Sequence, residues 1–461
     1  MPTITRLARR ARPRLLVTLV AFALSGALPS VIAAQRTVPT PRDAGGGSIP
    51  SGHGGMMGLP PRPQGPAFST PDPKVPGSEL TVSLMTMGVG EEIWEQFGHN
   101  ALWIHDAITG EDAVYNWGLF DFHQPHFIPR FLKGQMLYSM GAFTYEQTMA
   151  EYRYRDRTVL AQELDLTPAQ RLELQRFVEW NALPQNRDYH YDYYRDNCST
   201  RVRDVIDRIT GGAFRRAAVG VATGHSYRWQ TMRLVQSNAP LATGMDIGMG
   251  EPADHAMTQW EAMFLPMQLH DFAKRFVMRD SNGVARPLVK SERVLYQSQT
   301  HPEPRDAPHW LGWDILIGLS LAAGMAALAW WSRQGKRGAR IGLAALTAAV
   351  GLVMGLVGTL LFLLWTITDH VFAHHNENLF VYQPLWLALA VLAPMAVLGS
   401  RSAGVQRATR WIADLTLAAA IVGVVWHLIG MSSQDNWRAL ALGVPAAVGM
   451  AVAVHRSTRV A

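Results

Sequence analysis

From Trp310 to Val454 the chain is dominated by apolar runs, at about 310–331, 341–366, 380–398, 411–430 and 438–454. Each is long enough, or nearly so, to cross the hydrocarbon of a bilayer. Upstream the pattern changes to short alternations. Leu80–Met87 alternates as a strand, His99–His105 as a second, and Ala113–Trp117 as its antiparallel return across a turn within Asp106–Glu111. Gly118–Lys133 is irregular and Pro-punctuated, with a helix around Ile128–Leu132. Gln135–Met140 and Thr158–Leu166 are further strand candidates, separated by a helical piece, Tyr145–Tyr154. Thr167-Pro168-Ala169-Gln170 supplies an N-cap, a proline at the first helical position and a capping-box glutamine, so a helix runs from there to about Ala182. A strand-like aromatic run, Tyr189–Tyr194, then leads through Arg195-Asp196-Asn197 into Cys198. Val202, Val205, Ile206 and Ile209 follow at the spacing of one helix face, which Gly211-Gly212 ends. Thr258–Leu265 reads as a helix, and Ser291–Asp306 as the descent to the membrane. The pattern predicts an α+β domain, an antiparallel sheet with helices packed on it, followed by an all-α transmembrane domain of five helices.

Charge orients these pieces. Arg333, Lys336, Arg337 and Arg340 fill the first loop between apolar runs, Arg401, Arg407 and Arg410 the third, and Arg456 and Arg459 the tail, whereas the second loop has no Lys or Arg. The positive-inside rule therefore puts the domain before Trp310 outside the cytoplasm, with an odd number of spans and a cytoplasmic tail at 455–461. At the other end, five arginines from Arg6 to Arg14 precede the apolar run Leu15–Leu28 and the small residues around Ala33-Ala34. This is the pattern of a secretory signal over 1–34, with an uncleaved anchor as the alternative. Residues 35–78 are dense in Pro and Gly and too poor in apolar residues for a core, hence a flexible tether to an exported domain at 79–309. Composition adds little beyond this. The 17% charged content is low because so much of the chain is membrane, and the net charge of +6 comes largely from signal and loop arginines, which removes the case for a nucleic-acid partner.

The chain holds 1 cysteine, Cys198, so no intrachain disulfide is available to it. At the start of a helix, unpaired N–H groups and the helix dipole favour a thiolate; the competing reading is a small buried hydrophobe. Thiol catalysis also needs a base and a group that orients it. Of the exported histidines, His99 follows a glycine, opens a strand, and lies roughly opposite Asn116 on the paired strand. His105 shares its strand parity but sits at the turn end, and His123, His126, His190, His225, His255 and His270 lack such a setting. His370, His374, His375 and Glu377, between the second and third apolar runs, could be weighed as a metal site. HExxH is absent and no thiol is near, so the preferred reading is a wet substrate cavity at the outer leaflet, with no metal and no cofactor.

Three stretches together resemble the Lnb family: Gly98–Asp106 (GHNALWIHD), Tyr115–Phe122 (YNWGLFDF) and Asp196–Asp204 (DNCSTRVRD). The likeness extends through Phe264-Leu265-Pro266 to Thr368-Asp369-His370 and Asn376–Leu385, roughly residues 79–398. That family is similar to permuted papain-like proteins of the NlpC and lecithin-retinol acyltransferase type, in which histidine precedes cysteine and the cysteine starts a helix. The resemblance implies a multi-pass protein of the bacterial inner membrane with its catalytic domain in the periplasm. It further implies transfer of an acyl chain from a phospholipid donor to the α-amino group of a diacylglyceryl-cysteine on a lipoprotein. Cys198 and His99 would be catalytic, Asn116 the orienting residue, and Asn197, Asp369, His370, Asn376 and Asn378 substrate-binding. The Pro/Gly tether and the short final loop have no counterpart in the family pattern. Without the resemblance, the same dyad would also suit a membrane-held cell-wall amidase or endopeptidase, and the domain could be a non-enzymatic lipid- or lipoprotein-binding scaffold.

Overall fold

The computed structural model describes residues 72, 74–121, 124–279, 283–400 and 402–458. The predicted signal, most of the tether, His123 and the end of the tail lie outside the described residues. Strands β1 (Leu80–Met87), β2 (His99–Asp106), β3 (Asp112–Phe120), β4 (Leu137–Thr144), β5 (Val159–Leu164), β6 (Asp188–His190) and β7 (Val289–Tyr296) form one antiparallel sheet. Their order is β7-β5-β1-β2-β3-β4-β6. Helices α1 (Phe127–Lys133), α2 (Pro168–Ala182), α3 (Cys198–Ile209), α4 (Ala239–Gly248) and α5 (Pro266–Arg275) belong to the same domain.

Both faces of the sheet are covered. Leu80, Val82, Leu84, Leu102, Ile104, Tyr115 and Trp117 share a core with Leu174 and Val178 of α2, Val202, Val205, Ile206 and Ile209 of α3, and Leu269 of α5. Met85, Met87, Ala101, Trp103, Val114, Val159 and Ala161 pack with Met149 on the other face. Burying the four aliphatic residues of α3 stabilises its seat by about 1.5–3 kcal/mol each. That exceeds the ~1 kcal/mol of a good N-cap. Packing therefore anchors this helix, and its cap fixes where it starts.

Three predicted elements differ. Strand pairing in the aromatic run stops at His190, because Asp192 Oδ1 accepts the N–H of Tyr194 and of Arg195, each at 2.9 Å, and folds the chain into a turn closed by the Asp192–Asp196 bridge. The predicted helix Thr258–Leu265 is helical only over Gln259–Ala262; Pro266 fits the first turn of a new helix, α5, and so divides the two. Ser291–Asp306 does not simply descend, since Val289–Tyr296 pairs with β5 at the sheet edge.

In the membrane region, α6 (Leu311–Arg333), α7 (Arg337–Ile367), α9 (Ala403–Leu428) and α10 (Trp437–Ser457) are each long and apolar enough to cross. The third predicted span, 380–398, contains a helix of 12 residues, α8 (Trp386–Val397), entered through the 3-10 turns Val371–Ala373 and Glu377–Phe380. The predicted five helices are thus four long ones and one short one. This non-helical approach lies tight against α7. A Cβ on Gly358 would stand 2.5 Å from the backbone of Gln383, and one on Gly355 2.5 Å from the nitrogen of Leu387. Val381 and Tyr382 are buried, so protein covers the irregular backbone there, while Leu385 at the entry to α8 is exposed.

The exported domain sits directly on this bundle. Asn376 Nδ2 donates to the carbonyls of Ile247 (2.9 Å) and Gly248 (3.0 Å), Asn378 Nδ2 donates to Ile247 (2.9 Å), and Gln434 Nε2 donates to Met249 (3.1 Å). Asp246, at the end of α4, bridges Arg228 of its own domain and Arg438 of α10, and Arg438 also reaches Asp314 of α6.

Candidate active site

Cys198 is the first residue of α3, and its position follows from the residues around it. Asn197 is the N-cap: its Oδ1 accepts the N–H of Thr200 at 2.9 Å, and the Thr200 hydroxyl accepts the N–H of Asn197 at 2.8 Å. Asn197 Nδ2 donates to the carbonyls of Tyr193 (2.9 Å) and Phe264 (3.0 Å), while Ser199 Oγ donates to Met263 (2.7 Å). The first turn of α3 is thereby tied to the segment before it and to the chain ahead of α5. Asn197, expected to bind substrate, is buried and fully engaged in this positioning.

His99 is the first residue of β2. Gly98 before it has φ +78°, and a Cβ there would lie 2.8 Å from the carbonyl of Met87. Gly98→Ala is therefore expected to cost about 1–3 kcal/mol, read as a lower melting temperature. An unchanged melting temperature would mean that β2 starts without this constraint. Across the hairpin, Asn116 Oδ1 and His99 Nε2 are 3.0 Å apart, and Asn116 Nδ2 donates to the carbonyl of Val114 at 3.0 Å. That second bond sets the amide orientation, so its oxygen accepts from His99 Nε2–H. Nδ1 is then the ring nitrogen left for the thiol, which His99 draws below its ordinary value. The β3–β4 register shifts between Trp117 and Leu119, and at this bulge Gly118, φ +89°, lets β3 pass close to Cys198; a Cβ on it would lie 3.5 Å from that of Cys198.

Burial pushes the Cys198 thiol up, but the charge and hydrogen bond of His99, with the N–H groups of Asn100 and Ser199, outweigh it and bring the thiol below its ordinary value. The thiolate is thus the favoured form of this pair at lower pH than for a free cysteine. Alkylation by iodoacetamide against pH should show a midpoint below that of a free cysteine. In His99→Ala the midpoint should move up, because burial loses its main opponent. A midpoint that stays put on removing His99 would contradict the pairing. Tyr138 and Tyr191 stack at 4.0 Å and pack on the same core as Cys198; burial, then the thiolate charge, pushes Tyr138 up to about 12, so its hydroxyl stays protonated at neutral pH.

The other histidines are elsewhere. His105 pairs with Asp112 at 2.9 Å at the far end of the hairpin, His225 stacks on Trp229, His255 meets Glu261 at 3.3 Å, and His270 bonds Asp271 at 2.9 Å. His126 precedes α1, and His190 ends β6. Among the described residues no three His, Cys, Asp or Glu side chains gather as a metal site. A cleft of about 360 Å³ flanks α3, lined by Trp117, Arg195, Asp196, Arg201, Val205 and Arg208 among others; neither Cys198 nor His99 lines it.

The membrane loop divides. His370 Nδ1 lies 2.8 Å from the Tyr193 hydroxyl and Phe372 packs on Tyr194, so Asp369-His370 abuts the segment leading into Cys198. Burial pushes the His370 imidazole below its ordinary value, favouring the neutral ring. Asn376 and Asn378 are instead wholly buried on the carbonyls of α4. Sequence reasoning missed Tyr138 and Met263, and quoted Gly118 and Phe264 only within the family likeness, without a role. The glycine inside a strand pattern was a usable signal for a bulge; the other contacts are long-range and leave no local trace.

Residues 67–238 match the family model described as the Lnb N-terminal periplasmic domain, and residues 315–437 match the Lnb transmembrane domain. No curated protein and no solved structure matches the chain. The α+β domain is thus periplasmic, and the chain is a multi-pass protein of the inner membrane.

Proposed function

The chain belongs to the Lnb family through both of its domains, and from that we propose that it is a periplasmic thiol acyltransferase that N-acylates lipoproteins. The observation that carries the reading is a thiol at a helix start, lowered by a histidine that an asparagine orients, in a domain fastened to a membrane bundle. The order of histidine on a strand before cysteine on a helix is that of a permuted papain-like site.

The geometry supports the following chemistry. Cys198 Sγ attacks the carbonyl carbon of a phospholipid ester, the C–O bond to glycerol breaks, and His99 gives its proton to the leaving alkoxide. A thioester and a lysophospholipid result. The amine of the diacylglyceryl-cysteine then attacks the thioester, the C–S bond breaks, and the amine proton passes through His99 as the amide forms. The backbone N–H groups at the start of α3 are the donors available to the oxyanion, each worth about 2.7–4 kcal/mol in well-studied cases. A bilayer-embedded donor gives the transmembrane domain a purpose that cleavage of a soluble peptide would not.

The test is mass spectrometry of a model lipoprotein in cells lacking other N-acyltransferases. Wild type is expected to yield the triacylated form, and Cys198→Ala or His99→Ala only the diacylated one. Unchanged triacylation in either variant overturns the reading, and muropeptide cleavage by the full chain would point to the wall hydrolase instead.

A further inference from the structure

Helix α1 buries none of its residues: Ile128, Phe131 and Leu132 are 67%, 55% and 46% exposed. Covering such side chains is worth about 1.5–3 kcal/mol each when complete, so three on one seven-residue helix form a notable apolar patch. Its place in the fold identifies what covers it. The carbonyl of Lys133 accepts the N–H of Asp369 at 2.7 Å, the carbonyl of Phe131 lies 3.1 Å from His370 Nε2, and Gln135 Nε2 donates to Asp369 at 2.7 Å. Gly134, in the left-handed region at φ +76°, packs on the same two residues. Asp369 stands two residues beyond Ile367, the last residue of α7, whose Trp365 and Ile367 remain exposed on a helix that crosses the bilayer. Helix α1 is therefore pinned at the outer end of a membrane span, where a tryptophan marks the interface. It also carries Arg130 and Lys133, the cationic complement of an interfacial helix.

We propose that α1 is seated in the outer leaflet, with Ile128, Phe131 and Leu132 among the acyl chains and Arg130 and Lys133 at the phosphate layer. The seat adjoins the thiol. Four residues past Lys133, β4 begins, and its Tyr138 pairs with Tyr189, stacks on Tyr191, shares a core with Cys198 and feels the charge of its thiolate. The lip formed by α1 is thus where a phospholipid acyl chain leaves the bilayer for the thiol, a consequence that rests on the acyltransferase reading, whereas the seating does not.

The test uses the full chain with Cys198→Ala in nanodiscs of phosphatidylethanolamine and phosphatidylglycerol, carrying one spin label at a time through Phe131→Cys, Ile128→Cys, Ile367→Cys or Ile108→Cys. Ile108, 66% exposed in the β2–β3 turn, is the aqueous control. Labels at 128 and 131 should match the label at 367, with oxygen collisions favoured severalfold over a water-soluble nickel chelate relative to 108. Accessibility like that at 108, or protection from both relaxants as under a protein partner, overturns the seating. A second arm uses Phe131→Asp and Leu132→Asp on the Cys198-containing chain. Thiol alkylation should be unchanged, transfer from bilayer phospholipid should fall tenfold or more, and transfer from a soluble short-chain thioester should persist. Equal loss on both donors overturns the lip. Inactivity of the unsubstituted chain on both donors defeats the acyl-transfer reading and the lip with it, leaving the labels to decide the seating alone.

Discussion

Replacing Cys198 with alanine is expected to lower acyl transfer by the purified chain in nanodiscs by about 10³-fold or more, the scale on which loss of a nucleophile registers in comparable dyads and triads. The loss should be chemical rather than structural. Cys198 is half-buried at the first position of α3, alanine is an excellent helix former, and the helix is held by Val202, Val205, Ile206 and Ile209 and by the Asn197 cap. The melting temperature should therefore move little. His99→Ala should cost a comparable factor, and the double variant should lose little more than either single one, because nucleophile and base act as a unit. Intact-mass spectra of the wild-type chain mixed with phospholipid alone should show one added acyl group, absent in Cys198→Ala. Transfer by Cys198→Ala within tenfold of wild type would remove the thiol from the mechanism.

Arg438→Ala should have the largest effect on stability. The Arg438 guanidinium reaches Asp246 at 2.8 Å and Asp314 at 2.7 Å, and the carboxylate side chains are 9% and 7% exposed. Removing the shared cation leaves Asp314 without that partner and Asp246 with Arg228, a loss on the order of 3–5 kcal/mol for a broken buried pair. The damage should concentrate where the periplasmic domain meets the bundle, so limited proteolysis after α5 should accelerate along with the fall in melting temperature. Arg438→Met combined with Asp246→Asn and Asp314→Asn should recover much of the loss, because neutral partners no longer carry an unpaired buried charge. If Arg438→Ala unfolds like wild type, water reaches the cluster and the two domains are held mainly by the asparagine amides.

Much of the site was legible along the chain. Thr167-Pro168-Ala169-Gln170 gave a capped helix where one stands, and the apolar spacing after Cys198 gave α3. The hairpin that brings His99 to Asn116 followed from a turn sequence between two alternating runs. Two details depart from the local pattern. Tyr189–Tyr194 has the composition of a strand, yet one side-chain oxygen of Asp192 diverts it into a turn. The third membrane segment does supply its predicted helix, but as 12 residues entered through 3-10 turns, because small residues on α7 let an irregular backbone lie against it.

The sequence by itself determined the exported α+β domain, the membrane bundle and its orientation, and the cysteine at a helix start. Periodicity, capping and loop charge act within a few residues of one another, so they can be read locally. The tertiary structure decided the rest: that His99 reaches the thiol, that Asn376 grips the carbonyl of a residue 129 positions away, and that α1 turns its apolar side chains outward beside α7. Those contacts depend on burial and on hydrogen bonds between distant segments, which are set only when the whole chain has packed.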